Sequence, residues 1–395
     1  MSRSHIESTC EAFTAHFGRP PTAVAVAPAR VELLGNHTDH NDGLVLAAAI
    51  DRVSVVAIRP QTDTDIAQVR SVNLDQSAEF RLGSESPGNA AGSWLAYVQG
   101  VTWALRQAHG PIPQGCAMLI SGNIPLGAGL SSSASLQAAV ALAIGGASLV
   151  ADDSARMDLA RLLRRAENEF VGVNAGLLDH VSTLFGRADH ALTLDCRSLD
   201  LQRVPLGHPA PAIVVCDTMS SRKLADGMYN LRRDECQSVV TYFQQINTSC
   251  HVESLRDVTP AMLATHWDHL DPLGRLRARH VLTENDRVLR GALALKHGDV
   301  AEFGRLMSAS HRSSRDDFAN SSEALDTLIA SAQASPGFLG GKLSGAGWAG
   351  CTVNLVEANQ TGAFAEQVAE RYAQATGITP KIHICQAANG GAVLS

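Results

Sequence analysis

The sequence predicts an α+β protein in two halves that meet near residue 205. At 395 residues the chain exceeds what one ordinary hydrophobic core serves, and it suits two domains, 1–205 and 206–395. From Val24 to about Pro205, short β-rich runs alternate with helical ones, which mixes strands and helices within one half. Beyond that point the run "PAIVVCDT" reads as a buried strand, the middle is mostly helical, and the chain closes on the strand-like "GCTVNLV" and "PKIHIC".

Each element has its own local reason. Residues 1–18, "MSRSHIESTCEAFTAHFG", space Ile6, Phe13 and Phe17 as an amphipathic helix does, and they lack the continuous apolar core of a signal peptide. "TAVAVA", "VSVVAI", "AMLISG" and "ALTLDC" read as the strands of the first half. Between them, "GSWLAYVQGVTWALRQ" predicts a helix capped by Ser93, with Trp94, Tyr97 and Val98 on one face. Core packing alone would account for those aromatics. A long Ala-rich helix follows the glycine turn at 127–129, and the second half carries helical segments over 223–247 and 275–308. No internal repeat or low-complexity segment interrupts the pattern.

Composition excludes several functions. With 45% apolar and 18% charged residues, the chain is neither disordered nor fibrous. A net charge of −7 without a basic block argues against nucleic acid or an anionic membrane surface as the main partner, so any anion must be bound locally. The eight cysteines show no CxxC spacing and no histidine-rich company, which predicts free buried thiols rather than a zinc site. The longest nearly apolar run, 138–151, is shorter than the roughly 20 residues a bilayer requires. A cytoplasmic monomer is the expectation.

Residues 29–43, "ARVELLGNHTDHNDG", carry far more polarity than a turn needs. Gly35 and the Asn-Asp-Gly at 41–43 already supply the permissive backbone. The surplus of Arg, Glu, Asn, His and Asp after an apolar strand points to a ligand.

Two glycine-rich stretches and one acidic segment carry further chemistry. "GNIPLGAGLSSSASLQ", 122–137, sets Gly127 and Gly129 directly before three serines and a helix. Small residues admit a ligand to the backbone, and a helix N-terminus presents unpaired N–H groups to an anion, so this is a phosphate cradle, or otherwise a tight turn with an N-cap. It lacks the Lys-Ser/Thr of the Walker form. "GGKLSGAGWAGCTV", 340–353, precedes an apolar strand and by itself reads equally as a hairpin. In "AENEFVGVNAGLLDHVS", 166–182, Glu167 ends a helix and Asp179 follows a glycine loop, where an acid in so apolar a setting either meets a partner or caps the next helix.

These stretches, in this order and spacing, resemble the sugar kinases of the GHMP superfamily, and within it the galactokinases. "PLGAGLSSSAS" matches the superfamily phosphate loop, and "PARVELLGNHTDHNDG" is similar to the galactokinase signature Gly-Arg-x-Asn-Leu-Ile-Gly-Glu-His-Thr-Asp-Tyr. "GVNAGLLDH", "YNLRRDEC" at 229–236, "FGRLMSASHRS" at 303–313 and "GKLSGAGWAGCTV" extend the likeness over almost the whole chain. The resemblance implies a two-domain GHMP kinase fold with the active site in the cleft between an N-terminal and a C-terminal α+β domain. It implies Arg30 and Asp179 at the reacting centre, and Asn36, His37, Asp39, Gly176 and Tyr229 around the sugar. ATP would lie on Gly127, Ala128, Gly129, Leu130, Ser131, Ser132 and Ser133, with Trp94 and Tyr97 near the adenine. Mg²⁺ would be held by Ser133, with Ser132 as the alternative, and by Glu167.

The same comparison implies an ATP-dependent kinase acting on the anomeric hydroxyl of galactose, with sugar and ATP as its small-molecule partners. Arg30 would make the sugar oxygen more nucleophilic, while Asp179 accepts the hydroxyl proton or orients it. Departures from the pattern are Ala29 for Gly, His40 for Tyr, Asp42 for Gly, Ala175 for Cys and His180 for Gln. The family's Asn and Glu are exchanged for Glu32 and Asn36, the latter implied to lie near the sugar's carbon 6. On a strand Glu32 would share a face with Arg30 and pair with it. A galactose relative altered at carbon 6, such as galacturonate, is the alternative substrate, and a catalytically silent sugar sensor the alternative of another class. The intact phosphate loop with Arg30, Glu167 and Asp179 disfavours the sensor.

Overall fold

The computed structural model describes residues 3–88, 93–110, 112, 114–125, 127–173, 175–220, 227–246 and 251–394. The first half runs α1 (Arg3–Phe17), β1 (Ala23–Leu34), β2 (Leu44–Gln61), β3 (Ile66–Ser71), β4 (Gln76–Arg81), α2 (Trp94–His109), β5 (Gly115–Gly122), α3 (Ser132–Gly145), α4 (Asp153–Arg165), α5 (Leu178–Phe185), β6 (His190–Asp195) and β7 (Leu201–Pro205). The second runs β8 (Ala212–Asp217), α6 (Met228–Ile246), α7 (Pro260–His266), α8 (Pro272–Lys296), α9 (Val300–Ser313), α10 (Glu323–Gln333), β9 (Phe338–Leu343), β10 (Cys351–Val356), α11 (Thr361–Thr376), β11 (Lys381–Cys385) and β12 (Ala392–Leu394). The α+β class and the mixture of elements in both halves agree with the sequence.

Among the described residues the first sheet has the order β12-β1-β2-β5-β3-β4, with β6 and β7 branching from β2, and the second has the order β11-β8-β10-β9. Among the described residues only the β3–β5 pair is parallel. The Ala-rich α3 packs on β1 and β2, and its small side chains let it come close: Ala134, Ala138, Ala139 and Ala141 are all fully buried. On the opposite face Phe13 of α1 packs with Ala57, Ala117 and Leu119. Phe364, Val368 and Tyr372 of α11 cover one face of the second sheet.

The two halves share a core. Val31, Leu33 and Leu34 of β1 pack with Phe303 and Leu306 of α9 and with Val353 of β10. The charged residues of β1 therefore sit at the seam. Pro28, which cannot donate to a ladder, lies at a register shift against β2, and such bulges turn a strand next to functional sites. β7 ends the first sheet's run at Pro205, but β12 returns across the seam to pair with β1.

Local differences from the sequence reading have physical causes. The helix expected over 275–308 is two helices, because Gly298 turns left-handed (φ +74°) and Asp299 caps α9 by accepting from Glu302 N–H. Of the helix expected over 223–247, residues 223–226 and 247 lie outside the described residues. Ser93 caps α2 as expected, accepting from Ala96 N–H. The described cysteines are free thiols, Cys250 lying outside them. No described helix is long and apolar enough to cross a membrane.

Candidate active site

Arg30 is the hub. The end of β1 carries its side chain to Asp179 at the start of α5, where Nε donates to Oδ1 at 2.8 Å and Nη2 approaches the same oxygen at 2.7 Å. Nη1 donates to the carbonyl of Gly129, in the glycine loop before α3, at 2.8 Å. One guanidinium thus touches both glycine-loop backbone and carboxylate, as a planar fork of five donors allows. The second Asp179 oxygen accepts from the Ser131 hydroxyl. Asp179 is therefore not a helix cap: its carboxylate is spent on Arg30 and Ser131, and α5 begins after Leu177 without a side-chain cap bond.

The glycine loop before α3 turns through Gly127 and Gly129, at φ +77° and +74°, into Ser131 at φ +56°. Ser131 stands at the cap position of α3 but makes no capping bond, since its hydroxyl is directed to Asp179. The expected serine cap is absent, which leaves first-turn N–H groups to face an anion. A cavity of about 200 Å³ beside it is walled by Trp94, Tyr97, Ser132, Ser133, Leu136 and the end of β5. The aromatics of α2 thus line this cavity as well as packing against the core.

Glu167 lies in a single turn of π-helix, Ala166–Val171, that follows α4. Such turns occur often at functional sites. Its buried carboxylate accepts from Gln137 Nε2 at 3.0 Å and lies 3.2 Å from His180 Nε2, and among the described residues no Lys or Arg pairs with it. Gln137 is one turn beyond Ser133 on α3, so both face the same way. A hard oxygen acid near a serine hydroxyl and a phosphate cradle fits Mg²⁺, which takes one or two protein oxygens and completes its shell with phosphate and water. No group of three or more His, Cys, Asp or Glu among the described residues forms a metal cluster of its own.

The polar turn at 35–43 builds the other wall. His37 adopts a left-handed backbone (φ +59°), uncommon without glycine, and its ring is stacked on Phe318 at 4.5 Å and lies 5.4 Å from Tyr229. Its Nε2 faces the Ala346 carbonyl at 3.0 Å and must donate, which leaves Nδ1 an acceptor. Asp39 approaches Gly176 so closely that a Cβ there would meet Oδ2 at 2.5 Å, so a larger residue would push the carboxylate aside. Burial pushes the Tyr229 phenol well above its ordinary range, and the negative charges of Asp39, Asp179 and Glu32 push it further. Those carboxylates and the phenol therefore share one region. Asp39 itself is held below the usual carboxylate range: burial alone would raise it, and His40 and His37 more than offset that.

Two expectations for residues 29–43 are corrected. Glu32 does not pair with Arg30; its Oε1 binds the fully buried Lys342 Nζ at 2.7 Å, and Arg30 is engaged by Asp179. Asn36 does not turn its side chain to an open pocket: Nδ2 donates to Glu32 Oε1 at 3.0 Å and to the Gly345 carbonyl at 2.8 Å, and Oδ1 accepts from Asn320 at 2.8 Å. Sequence reasoning missed Lys342, Asn320, His280 and Glu284, which brace the turn from the second half. Their partners lie too far away in sequence for local pattern to show, although a lysine inside the apolar "GGKLSG" was a usable signal. The second glycine-rich stretch, 340–353, is indeed a hairpin, β9–β10, and its loop is what meets the turn.

The buried histidines predict a pH response. Burial, first of all, holds His37 down at about 3 and His280 below its ordinary value. Both are neutral in the folded chain, whereas unfolded imidazole titrates near pH 6.5. Their contribution to stability is complete above about pH 6.5 and is lost as pH falls toward the folded values, at about 1.4 kcal/mol per pH unit for each proton of difference. Glu32, raised by burial, opposes this with one proton at most. Tm measured from pH 7 down to 5 should fall; a flat profile would contradict the neutral, buried placement of these rings.

Comparison with known proteins agrees with this geometry. Residues 11–60 match the galactokinase galactose-binding signature, 96–187 the GHMP kinase N-terminal domain and 292–374 the GHMP kinase C-terminal domain. A galactokinase from Roseiflexus sp. (strain RS-1) is 44% identical over 383 residues, covering 96% of this chain and 95% of that protein. Lactococcus lactis galactokinase, solved in complex with galactose, superposes with a TM-score of 0.88 at 31% identity over 98% of each chain. Methanococcus jannaschii mevalonate kinase shares the fold alone, with a TM-score of 0.65 at 18% identity over 93% of this chain and 98% of that one. With a match of that extent at both levels, the chain belongs to the galactokinase family of the GHMP kinases.

Proposed function

We propose that this chain transfers the γ-phosphoryl group of ATP to the anomeric hydroxyl of galactose, with Mg²⁺ as the counter-ion. The observation that carries the reading is the reach of Arg30, which binds Asp179 on the acceptor side and the Gly129 carbonyl on the donor side. Phosphoryl transfer asks a protein mainly to hold the attacking and leaving oxygens in line with phosphorus and to stabilise the negative charge that spreads over its three equatorial oxygens. Arg30 lies where the two substrates would meet and offers a fixed cation to that charge. Asp179, across from it, takes up or orients the proton of the sugar's O1, and the Ser131 hydroxyl fixes the carboxylate. The first-turn amides of α3 hold the polyphosphate. His37, Asp39, Gly176 and Tyr229 read the remaining hydroxyls through the neutral imidazole, the carboxylate, the bare backbone and the phenol.

Ser133 and Glu167 would hold Mg²⁺, which when bound neutralises charge on the phosphate oxygens. Replacing Glu167 by Gln should raise the Mg²⁺ concentration needed for half-maximal rate and weaken Mg²⁺-dependent ATP binding in calorimetry, with sugar affinity little changed. An unchanged Mg²⁺ titration would move the metal elsewhere. Galactose is favoured over galacturonate because Lys342, a buried cation braced against the sugar turn, is already neutralised by Glu32. ATP consumption by the purified protein against a panel of hexoses and uronic acids tests the substrate directly. Galactose should lead the panel; a lead for galacturonate would reverse the choice, and no turnover with any sugar would favour a sensor.

A further inference from the structure

We propose that Asn36 is a positioning residue that ties the sugar turn to the glycine loop between β9 and β10, and that it makes no contact with the substituent on the sugar's carbon 6. Every polar atom of Asn36 is engaged within the protein. Its N–H donates to Glu284 Oε1 at 3.3 Å, and its carbonyl accepts from His280 Nε2 at 2.9 Å. Its side-chain donors go to Glu32 and Gly345, and its side-chain oxygen accepts from Asn320 at 2.8 Å and from Ser314 at 3.4 Å. A carboxamide has two N–H donors and two lone pairs, so nothing remains for a ligand. The residue is 1% exposed, and Glu284, His280, Asn320 and Ser314 are wholly buried.

The network also explains why glutamate stands at 32 and asparagine at 36. Lys342 is a buried cation and needs a counter-charge, which Glu32 supplies. Position 36 then faces an anion, Glu32, and a carbonyl, Gly345 O, both of which only accept. An amide can donate to both; a carboxylate would oppose both. The pair of identities at 32 and 36 is therefore set by Lys342 and the glycine loop, not by the sugar.

This knot reaches both substrates. A Cβ on Gly345 would lie 3.5 Å from Gly129 O, the carbonyl that also accepts from Arg30, so the loop Asn36 holds is packed against the phosphate cradle. On the other side the backbone of Asn36 leads into His37. Disturbing Asn36 should loosen ATP and sugar together, whereas loss of a carbon 6 contact would touch the sugar alone.

Asn36→Asp tests this with no change of size. In calorimetry with Mg²⁺ and ATP, sugar omitted, affinity should fall about tenfold, the scale of one or two buried hydrogen bonds turned repulsive. Adding Glu32→Gln, which restores a donor opposite the new carboxylate, should recover part of that loss, as a general weakening of the fold would not. The second arm rests on the galactose reading: kcat/KM for galactose and for 6-deoxygalactose should fall by the same factor. Unchanged ATP affinity, additive losses in the double variant, or a galactose to 6-deoxygalactose ratio altered more than about threefold would each overturn the proposal. The ATP arm needs no sugar, so failure of galactose turnover would count against the proposed function and leave this arm decisive. If Asn36→Asp does not fold, Asn320→Ala removes only a donor to the network, and unchanged ATP affinity there overturns the proposal as well.

Discussion

Replacing Arg30 by Met should lower kcat by about 10³ or more, the range in which a transition-state arginine acts in phosphoryl transfer. The guanidinium holds Asp179 with Nε and Nη2 and the Gly129 carbonyl with Nη1, so its loss removes a cation and a bridge at once. Lysine is not a rescue. Its ammonium is a point charge on a flexible stem and cannot keep both partners in the fork geometry, so Arg30→Lys should recover only a small part of the rate. Substrate affinities measured separately should change far less than kcat, because His37, Asp39 and the first turn of α3 remain. Turnover of Arg30→Met within tenfold of the unaltered protein would remove Arg30 from the chemistry.

Asp179→Asn should keep sugar and ATP binding and reduce kcat by roughly 10² or more. The carboxylate is partly exposed, at 29%, and makes no cap bond to α5, so the substitution should not unfold the chain. What it loses is an acceptor for a proton and a negative partner for Arg30. An amide placed there would direct either its oxygen or its nitrogen to the guanidinium, and in neither case can it take up the O1 proton. Near-normal turnover would exclude a proton-accepting role and leave only orientation. Melting curves of the variant and the parent separate a chemical loss from a structural one.

Much of this architecture was legible in local pattern. The four β-rich runs of the first half are strands, and Ser93 caps α2. Such features depend on residues within a turn or two of each other. What stayed hidden depends on distance in sequence. Glu32 was expected to meet Arg30, two residues away on the same strand, yet it meets Lys342, and nothing in 29–43 can announce that partner. A serine N-cap was the alternative reading of the loop before α3, but the approach of α5 offers Ser131 a charged acceptor instead. Gly176 was expected near the sugar only through the resemblance, and its packing against Asp39, 137 residues away, was not readable from local pattern. The break at Gly298 was readable, because glycine followed by a capping Asp299 is a stop and a start in succession. The return of β12 to β1 was not, being a short strand at the far end of the chain.

The claim at the centre is that phosphate is placed on carbon 1 of galactose, at the expense of ATP, and ³¹P NMR of the reaction mixture tests it most directly. With galactose, ATP and Mg²⁺, the account predicts one new sugar phosphate for each ADP formed, its resonance split by a single anomeric proton, and no such product from 1-deoxygalactose. A resonance split by the two protons of carbon 6, or inorganic phosphate as the sole new phosphorus species besides ADP, would contradict it.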